Sequence, residues 1–323
     1  MKKRRLTAEE AKIFEERRQR RFFAKHIIYS SFGSDYKMDE AQEYFMKHSI
    51  VKALDKLEWA GEDVKDFIAK TVYCLNYEGR YKTLMNHYLV KDLTPNEVSF
   101  LMCCDDFIQG LMTARPETYP IFKDNKAIFT QTKVNPIRKY QFALDVAEAC
   151  EKDAFYTPDV FAKYINYVNH GKNYDGDIMF IIHERKTIKV LNKLNDFGVN
   201  VDRLIKDTLS GKEVSSRFEE VMFQLKKGVL SVSELKFIMP YNDFINGLTE
   251  KYPTLKSKIE DYSPISEREH GNIDKLFKTA VELENEEHLK ISYSKGFTYS
   301  ANPVVENTLT HACSGEDPLG MDD

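Results

Sequence analysis

The sequence predicts a mostly α-helical fold, in which an internal tandem duplication gives two pseudo-equivalent multi-helix halves with few or no strands. Three observations support this prediction. The chain matches itself when it is shifted by 137 positions. Helix-start signals recur in both halves, and segments that alternate as a strand would are rare. With only 10 Pro and 14 Gly in 323 residues, the composition is not that of a disordered or fibrous chain. The candidate strands are residues 126–134 and 291–300.

The internal repeat is clearest where residues 50–111 lie over residues 187–248. These segments share 19 identities in 62 gapless positions, whereas chance gives roughly four, so the similarity indicates a repeat. Upstream the shift becomes 138, and residues 22–36 match residues 160–174. We therefore expect four parts along the chain. They are a basic N-terminal arm or helix (1–20), helical repeat A (21–158), helical repeat B (159–290) and an extended acidic C-terminal tail (291–323).

Several polar residues and glycines that the halves share have structural explanations. The segments Thr94–Glu97 and Ser231–Glu234 have the [ST]-x-x-E pattern of a capping box, which begins a helix. Gly61 and Gly198 stand between two helical patterns, where a positive φ after a helix end favours glycine. Further helix starts are predicted at Thr7–Glu10, Thr157–Pro158 and Ser266–Glu269.

The apolar segment after each capping box is predicted to be a buried helix. It should bend or break near Pro240 in the second half, because proline cannot continue a helix, and the corresponding element of the first half is a candidate for the same break. Asp105-Asp106 and Asn242-Asp243 are then expected to cap the second piece, with Gly110 and Gly247 near its end. We expect four phenylalanines to be buried in equivalent places. They are Phe100, Phe107, Phe237 and Phe244.

Motifs for common catalytic chemistries are missing from the sequence. It has no GxxxxGK[ST], no GxGxxG after a strand, no HExxH and no GxSxG. Glu267 and His270 form a lone ExxH, and Asp175-Gly176-Asp177 could be half of a cation loop, but neither has the further ligands of a metal site. We therefore expect no catalytic residue, no metal and no cofactor. An enzyme without a recognisable motif stays the third hypothesis for the function.

Positive charge is concentrated at the beginning of the chain. The net charge is −4, yet residues 1–26 hold ten Lys or Arg and four Glu. We expect a helix from Thr7 with its apolar residues near one side, namely Ile13, Phe14, Phe22, Phe23, Ile27 and Ile28. Its arginines either bind an anionic partner or form a solvated, salt-bridged face. The candidate anion- or partner-binding residues are Lys2, Lys3, Arg4, Arg5, Arg17, Arg18, Arg20 and Arg21.

These features favour a non-catalytic structural or adaptor component of a larger assembly, including one of viral or phage origin. Its partner would be another protein or a second molecule of the same chain. The alternative is a nucleic-acid-binding accessory protein that uses residues 1–26. Five cysteines without a CxxC indicate reduced thiols, and no apolar run reaches the roughly 20 residues of a membrane span. We therefore expect no membrane partner and a location in the cytoplasm or in a virion.

Overall fold

The computed structural model describes residues 7–32, 38–123, 136–170, 177–260 and 273–294. Helices account for most of these residues and none of them forms a strand, so the mostly α-helical fold class is confirmed. The helices of the first half are α1 (Ala8–Phe32), α2 (Glu40–Trp59), α3 (Val64–Val72), α4 (Tyr77–Leu89), α5 (Pro95–Leu101), α6 (Cys104–Ala114), α7 (Tyr119–Lys123) and α8 (Pro136–Glu151). Those of the second half are α9 (Pro158–His170), α10 (Asp177–Asp196), α11 (Val201–Leu209), α12 (Val214–Lys226), α13 (Tyr241–Lys251), α14 (Lys256–Glu260) and α15 (Ile273–Ser294).

The helices of the second half recur at the same intervals as those of the first. Adding 137 to both bounds of α2, α3, α4, α6 and α7 gives the bounds of α10, α11, α12, α13 and α14. The starts of α8 and α15 are separated by the same interval, although α15 is longer. A 3-10 helix, Val232–Phe237, takes the place of α5. Over the described residues, the order of helices is therefore the same in both halves, while their origin in a tandem duplication stays a prediction.

The same helix contacts build both halves. α4 packs against α6 as α12 packs against α13, and α1 covers α2 and α3 as α9 covers α10 and α11. α8 packs on α5 and α6, and α15 packs on Val232–Phe237 and α13. In addition, α8 packs against α9, the first helix of the second half. One hydrophobic core therefore continues through both halves.

Capping residues explain where several helices begin. The capping boxes predicted at Thr94–Glu97 and Ser231–Glu234 are both present. The segment Thr7–Glu10 begins α1 in the same way, since the amide of each end residue donates to the side chain of the other. α9 begins at the predicted Pro158. These reciprocal bonds satisfy amides that have no partner inside the helix. The predicted start at Ser266–Glu269 lies outside the described residues.

The two glycines predicted to have positive φ are confirmed. Gly61 follows the end of α2 with a φ of +93°, and Gly198 follows the end of α10 with a φ of +82°. Their amides donate to carbonyls of the last turn of each helix. A residue with a Cβ would be strained in this left-handed conformation, so glycine lets the chain turn directly into the next helix.

The break in the apolar segment is confirmed in both halves, but the predicted caps are wrong. α5 is separated from α6 at Cys103, and Pro240 precedes α13. Cys103 and Pro240 themselves occupy the N-cap positions, without side-chain capping bonds. Asp106 and Asp243 lie in the first turn of the following helix, where each forms an ion pair with an arginine. The aspartates therefore connect two helices instead of capping one.

The expectation that Gly110 and Gly247 lie near a helix end is also wrong. Both are buried inside their helices, α6 and α13, where α4 and α12 cross them. A Cβ on Gly110 would come within 2.5 Å of the Tyr77 carbonyl oxygen. A Cβ on Gly247 would come within 2.4 Å of the Phe218 Cβ atom. The two glycines are shared because only glycine allows the helices to approach this closely.

The predicted phenylalanine core is confirmed for three of its four members. Phe107 and Phe244 are fully buried and Phe237 is nearly so, whereas Phe100 is only partly buried against the core. At each helix crossing the deeper phenylalanine meets another ring edge to face. The Phe107 ring lies 5.2 Å from that of Tyr81, and the Phe244 ring lies 5.0 Å from that of the equivalent Phe218.

The strand predicted at residues 291–300 is wrong where it can be compared with the structure. Residues 291–294 form the last turn of α15. Alternation over so few residues is a weak signal, and the adjoining helical period decides the local structure. The other candidate strand, residues 126–134, lies outside the described residues, as do Glu267, His270 and residues 171–176.

Adding a single methyl group to the helix crossing should destabilise the protein. Gly110→Ala and Gly247→Ala should each lower the free energy of unfolding by about 1–3 kcal/mol, because backbone or ring atoms must move to admit the new Cβ. Urea unfolding followed by circular dichroism measures the loss. Gln109→Ala, on the exposed side of α6, is the control and should stay within about 0.5 kcal/mol. A neutral Gly110→Ala would show that the crossing is looser than described.

Truncating the buried rings tests the position of the core. Phe107→Ala and Phe244→Ala should each lower the free energy of unfolding by about 3–5 kcal/mol, and Phe100→Ala by less. Chemical denaturation of the full chain measures these values. Phe22→Ala, which removes a ring that is 60% exposed, serves as the matched control. A loss below about 1 kcal/mol for Phe107→Ala would place that ring outside the core.

Candidate partner-binding site

The outward side of α1 is unusually aromatic and basic. Its inward side carries Phe23 and Ile27, which are buried as expected of a core stripe. The apolar residues do not share one side, however, so that part of the prediction is wrong. Phe14 is 62% exposed, Phe22 60% and Tyr29 63%. We define the outer face of α1 by six exposed residues at helical spacing: Phe14, Arg18, Arg21, Phe22, Lys25 and Tyr29.

The structure divides the predicted arginine cluster between the two sides of α1. Arg20 points inward, is only 16% exposed and pairs with Asp55 and Glu58, so its charge is already compensated. Arg18 is well exposed and its Nη2 atom lies 2.8 Å from Glu15 Oε1. Arg17 and Arg21 are exposed. Whether these arginines bind a partner stays a prediction. Lys2, Lys3, Arg4 and Arg5 lie outside the described residues.

Part of the equivalent face of α9, at Val160, Lys163 and Tyr167, lies under α8. The rings of Phe142 in α8 and Tyr167 in α9 are stacked with centroids 4.6 Å apart and planes 5° apart. Lys163 Nζ in α9 lies 2.6 Å from Asp145 Oδ2 in α8. Val160, at the start of α9, is also buried. An aromatic stack and an ion pair therefore hold the two halves together at this junction.

The outer face of α1 repeats part of this surface, and no helix among the described residues covers it. At the shift of 138, Lys25 corresponds to Lys163, Tyr29 to Tyr167, and Phe22 to Val160. All three residues of α1 are exposed, whereas Tyr167 and Val160 are 5% and 7% exposed. The recurrence of Lys25 and Tyr29 was visible in the sequence. It could not show which of the two equivalent faces is covered.

The electrostatics of α1 are set by its exposed cations. His26, beside the outer face, has its pKa lowered mainly by burial, so it contributes no positive charge at neutral pH. Glu16 faces α3, and the hydrogen bond from Lys65 lowers the pKa of its carboxyl group. Since these groups are neutral or paired, and Arg18 is paired with Glu15, the surplus positive charge of the outer face comes from Arg21 and Lys25. Such a face attracts an anionic surface.

Two buried ion pairs were missed by the sequence reasoning. Arg80 in α4 is 2% exposed, and its Nη2 lies 3.0 Å from Asp106 Oδ2 in α6. Arg217 and Asp243 form the same pair between α12 and α13, at 2.9 Å. In each half the arginine Nε also donates to a backbone carbonyl just before its own helix. The signal was present, because the arginine and the aspartate both recur at the repeat interval.

The glutamates of the capping boxes have a second structural partner. Lys56 Nζ lies 2.7 Å from Glu97 Oε1, and Lys193 Nζ lies 3.0 Å from Glu234 Oε1. Although partial burial opposes it, bonding to the lysine and to the cap residue lowers the pKa of both glutamates. These carboxylates are thus ionised structural groups that tie α2 to α5, and α10 to Val232–Phe237. They are poorly suited to donate a proton at neutral pH.

No protein-family model, curated protein or solved structure matches the chain. In the parts of the chain that the structure describes, no group of three or more His, Cys, Asp or Glu could hold a metal ion. Over the same residues, no helix combines the length and the apolar character needed to cross a membrane. The functional interpretation therefore depends on the geometry of the outer face of α1.

Removing one partner of a buried ion pair should be costly. Asp106→Ala should lower the free energy of unfolding by about 3–5 kcal/mol, because the Arg80 guanidinium stays buried without a counter-charge. Replacing both residues, by Arg80→Met with Asp106→Leu, should recover most of that loss. Urea unfolding measures both variants. The control is Asp66→Ala, which breaks an exposed pair with Lys70 and should cost less than about 1 kcal/mol. Equal losses for Asp106→Ala and Asp66→Ala would contradict the structural role.

Proposed function

We propose that this chain is a non-catalytic structural component of a larger assembly and that it binds a protein partner through the outer face of α1. One observation carries the proposal. The residues of α9 that correspond to Phe22, Lys25 and Tyr29 lie under α8, whereas these three residues of α1 are exposed. Exposed aromatic and arginine side chains on one contiguous face are typical of protein interfaces.

The polar residues that both halves share support a structural role. The Arg–Asp pairs join crossing helices, and the capping glutamates bind lysines of a neighbouring helix. These charged residues recur in both halves, as catalytic residues could. Their contacts show that helix packing and helix capping already explain why they recur. We further infer that the halves are two copies of one helical unit, produced by tandem duplication. A place in the cytoplasm or in a virion, and a viral or phage origin, belong to the same proposal.

Nucleic-acid binding is the second candidate, and a specific feature favours it. Phe14, Phe22 and Tyr29 alternate with Arg18, Arg21 and Lys25 along the outer face of α1. Single-stranded nucleic acids bind to such surfaces, because bases stack on the rings and phosphates pair with the cations. We favour a protein partner because the equivalent surface of α9 already binds a helix of this chain.

Charge reversal on α1 distinguishes the two candidates. In the full chain, Arg18→Glu with Arg21→Glu and Lys25→Glu should abolish the protein complex that forms in the native source, because the face becomes acidic. The complex is measured by affinity capture and native mass spectrometry. The control reverses two exposed cations of the second half, Lys189→Glu and Lys206→Glu, and should keep the complex.

Two results would contradict the proposed function. The first is a triple variant that assembles as the unaltered chain does. The second is binding of single-stranded RNA or DNA that the triple variant loses and that weakens steeply with salt, with a logarithmic slope of about −0.7 per phosphate contact. The second result would establish the nucleic-acid candidate. Circular dichroism spectra of both variants confirm that the helices are retained.

A further inference from the structure

We propose that the partner of the outer face of α1 is α15 of a second molecule, docked antiparallel as α8 docks on α9. This inference rests on the proposed function, since it names the partner of the same face. α15 is the obvious occupant because it is the second-half equivalent of α8: their starts are separated by the repeat interval, and they pack on equivalent helices. The contact would repeat the internal junction between successive molecules.

The outward side of α15 has the charge that the outer face of α1 requires. Asp145 of α8, which binds Lys163, corresponds to Glu282 of α15, and Ala149 corresponds to Glu286. Glu282 and Glu286 are both exposed. On α8 this side lies against α9, whereas on α15 it is exposed, with Lys278 one turn before Glu282 and Glu286 one turn after it. Glu282 and Glu286 therefore complement Lys25 and Arg21 of the outer face of α1.

The internal junction also sets the register of the proposed contact. Lys163 lies beside Asp145, so the equivalent residues place Lys25 of one molecule beside Glu282 of the next. Because the helices are antiparallel, one turn back along α1 corresponds to one turn forward along α15. That step places Arg21 beside Glu286, a second pair of opposite charge. Opposite charges therefore face each other at two successive turns. The register that produces this pairing is taken from the internal junction alone.

The lengths of the two terminal helices fit the same arrangement. Inside the chain, α8 ends at Glu151 and α9 begins at Pro158, because the chain must turn between them. α15 continues about a turn and a half past residue 288, the equivalent of Glu151, and ends at Ser294. α1 begins at Ala8, about three turns before residue 20, the equivalent of Pro158. In an antiparallel pair, the two extensions would run side by side. Each adds exposed apolar surface, including Leu289 of α15 and Phe14 of α1.

The contact would be weaker than its internal counterpart and more sensitive to salt. Phe142, which stacks on Tyr167, is replaced in α15 by Thr279, so the aromatic stack is lost. Charge pairs would therefore contribute a larger part of the association, and salt screens exposed pairs. Since α1 and α15 are different surfaces, the contact is heterologous and leads to head-to-tail rows of molecules or to closed rings.

Cross-linking between two cysteine variants tests the register. Lys25→Cys and Glu282→Cys are made in separate full-length chains, both carrying Cys74→Ser and Cys313→Ser. When the two are mixed and treated with a short bismaleimide, we expect a covalent dimer that contains one chain of each kind. Asp145→Cys with Lys163→Cys in one chain is the positive control, since these side chains are in contact in the native protein, with Lys163 Nζ 2.6 Å from Asp145 Oδ2. Lys189→Cys replaces Lys25→Cys as the negative control, and cross-linking there to the same extent would overturn the register.

A charge swap tests the interaction in solution. Arg21→Glu with Lys25→Glu, and separately Glu282→Lys with Glu286→Lys, should each weaken self-association by about tenfold or more, because like charges then face each other. Combining all four changes should restore association, which a merely destabilised fold would not do. Sedimentation velocity over a concentration series measures the association constant at low and at high salt. Lys189→Glu with Lys206→Glu is the control and should leave the constant unchanged.

The outcomes separate this inference from the function on which it rests. A protein that stays monomeric at its highest soluble concentration at low salt would overturn α15 as the partner. If the native complex is nevertheless lost on charge reversal of α1, the proposed function stands with a different protein on that face. If association is present but unaffected by either pair of reversals, the second molecule binds elsewhere and the inference is wrong.

Discussion

The close crossing of α4 over α6, and of α12 over α13, is the constraint on which each half of the structure depends. Gly110 and Gly247 let the backbones approach, because a Cβ at either position would meet atoms of the opposite helix at 2.4–2.5 Å. The approach brings Arg80 beside Asp106 and packs Tyr81 against Phe107. A buried charge pair is tolerated only when its geometry is held, and the tight crossing holds it. The glycine, the ring pair and the ion pair therefore depend on one another, because all three need the same close approach of the two helices.

Much of the helical architecture could be predicted from local sequence signals. Capping boxes, helix-terminal glycines and a proline break act through backbone atoms a few residues away, so their patterns specify helix ends directly. Contacts between helices are different, because spacing along one helix does not show which neighbour it meets. For that reason Asp106 looked like a cap, and Gly110 like a helix end. Both recur in the second half, which indicated importance without indicating the partner.

The candidate site shows a second case in which the sequence does not reveal what a residue contacts. The repeat predicted that Lys25 and Tyr29 resemble Lys163 and Tyr167, but equivalent residues can have opposite surroundings. α9 has a preceding helix to cover it, whereas α1 is the first helix that the structure describes. The cluster of arginines also divided between two sides of α1, since Arg20 faces Asp55 and Glu58. Clustering in sequence is not clustering on a surface, because consecutive helical residues point about 100° apart.

The difference between α8 and α15 bears on how the proposed assembly would behave. Within one chain the junction is held by covalent continuity, so the local concentration of its two faces is high and an aromatic stack can be fully desolvated. Between molecules association must also offset the loss of translational and rotational freedom. Thr279 in place of Phe142, with Glu286 in place of Ala149, exchanges buried apolar surface for charge. In the proposed assembly, such a junction would form quickly through electrostatic steering and would weaken as salt screens its charges.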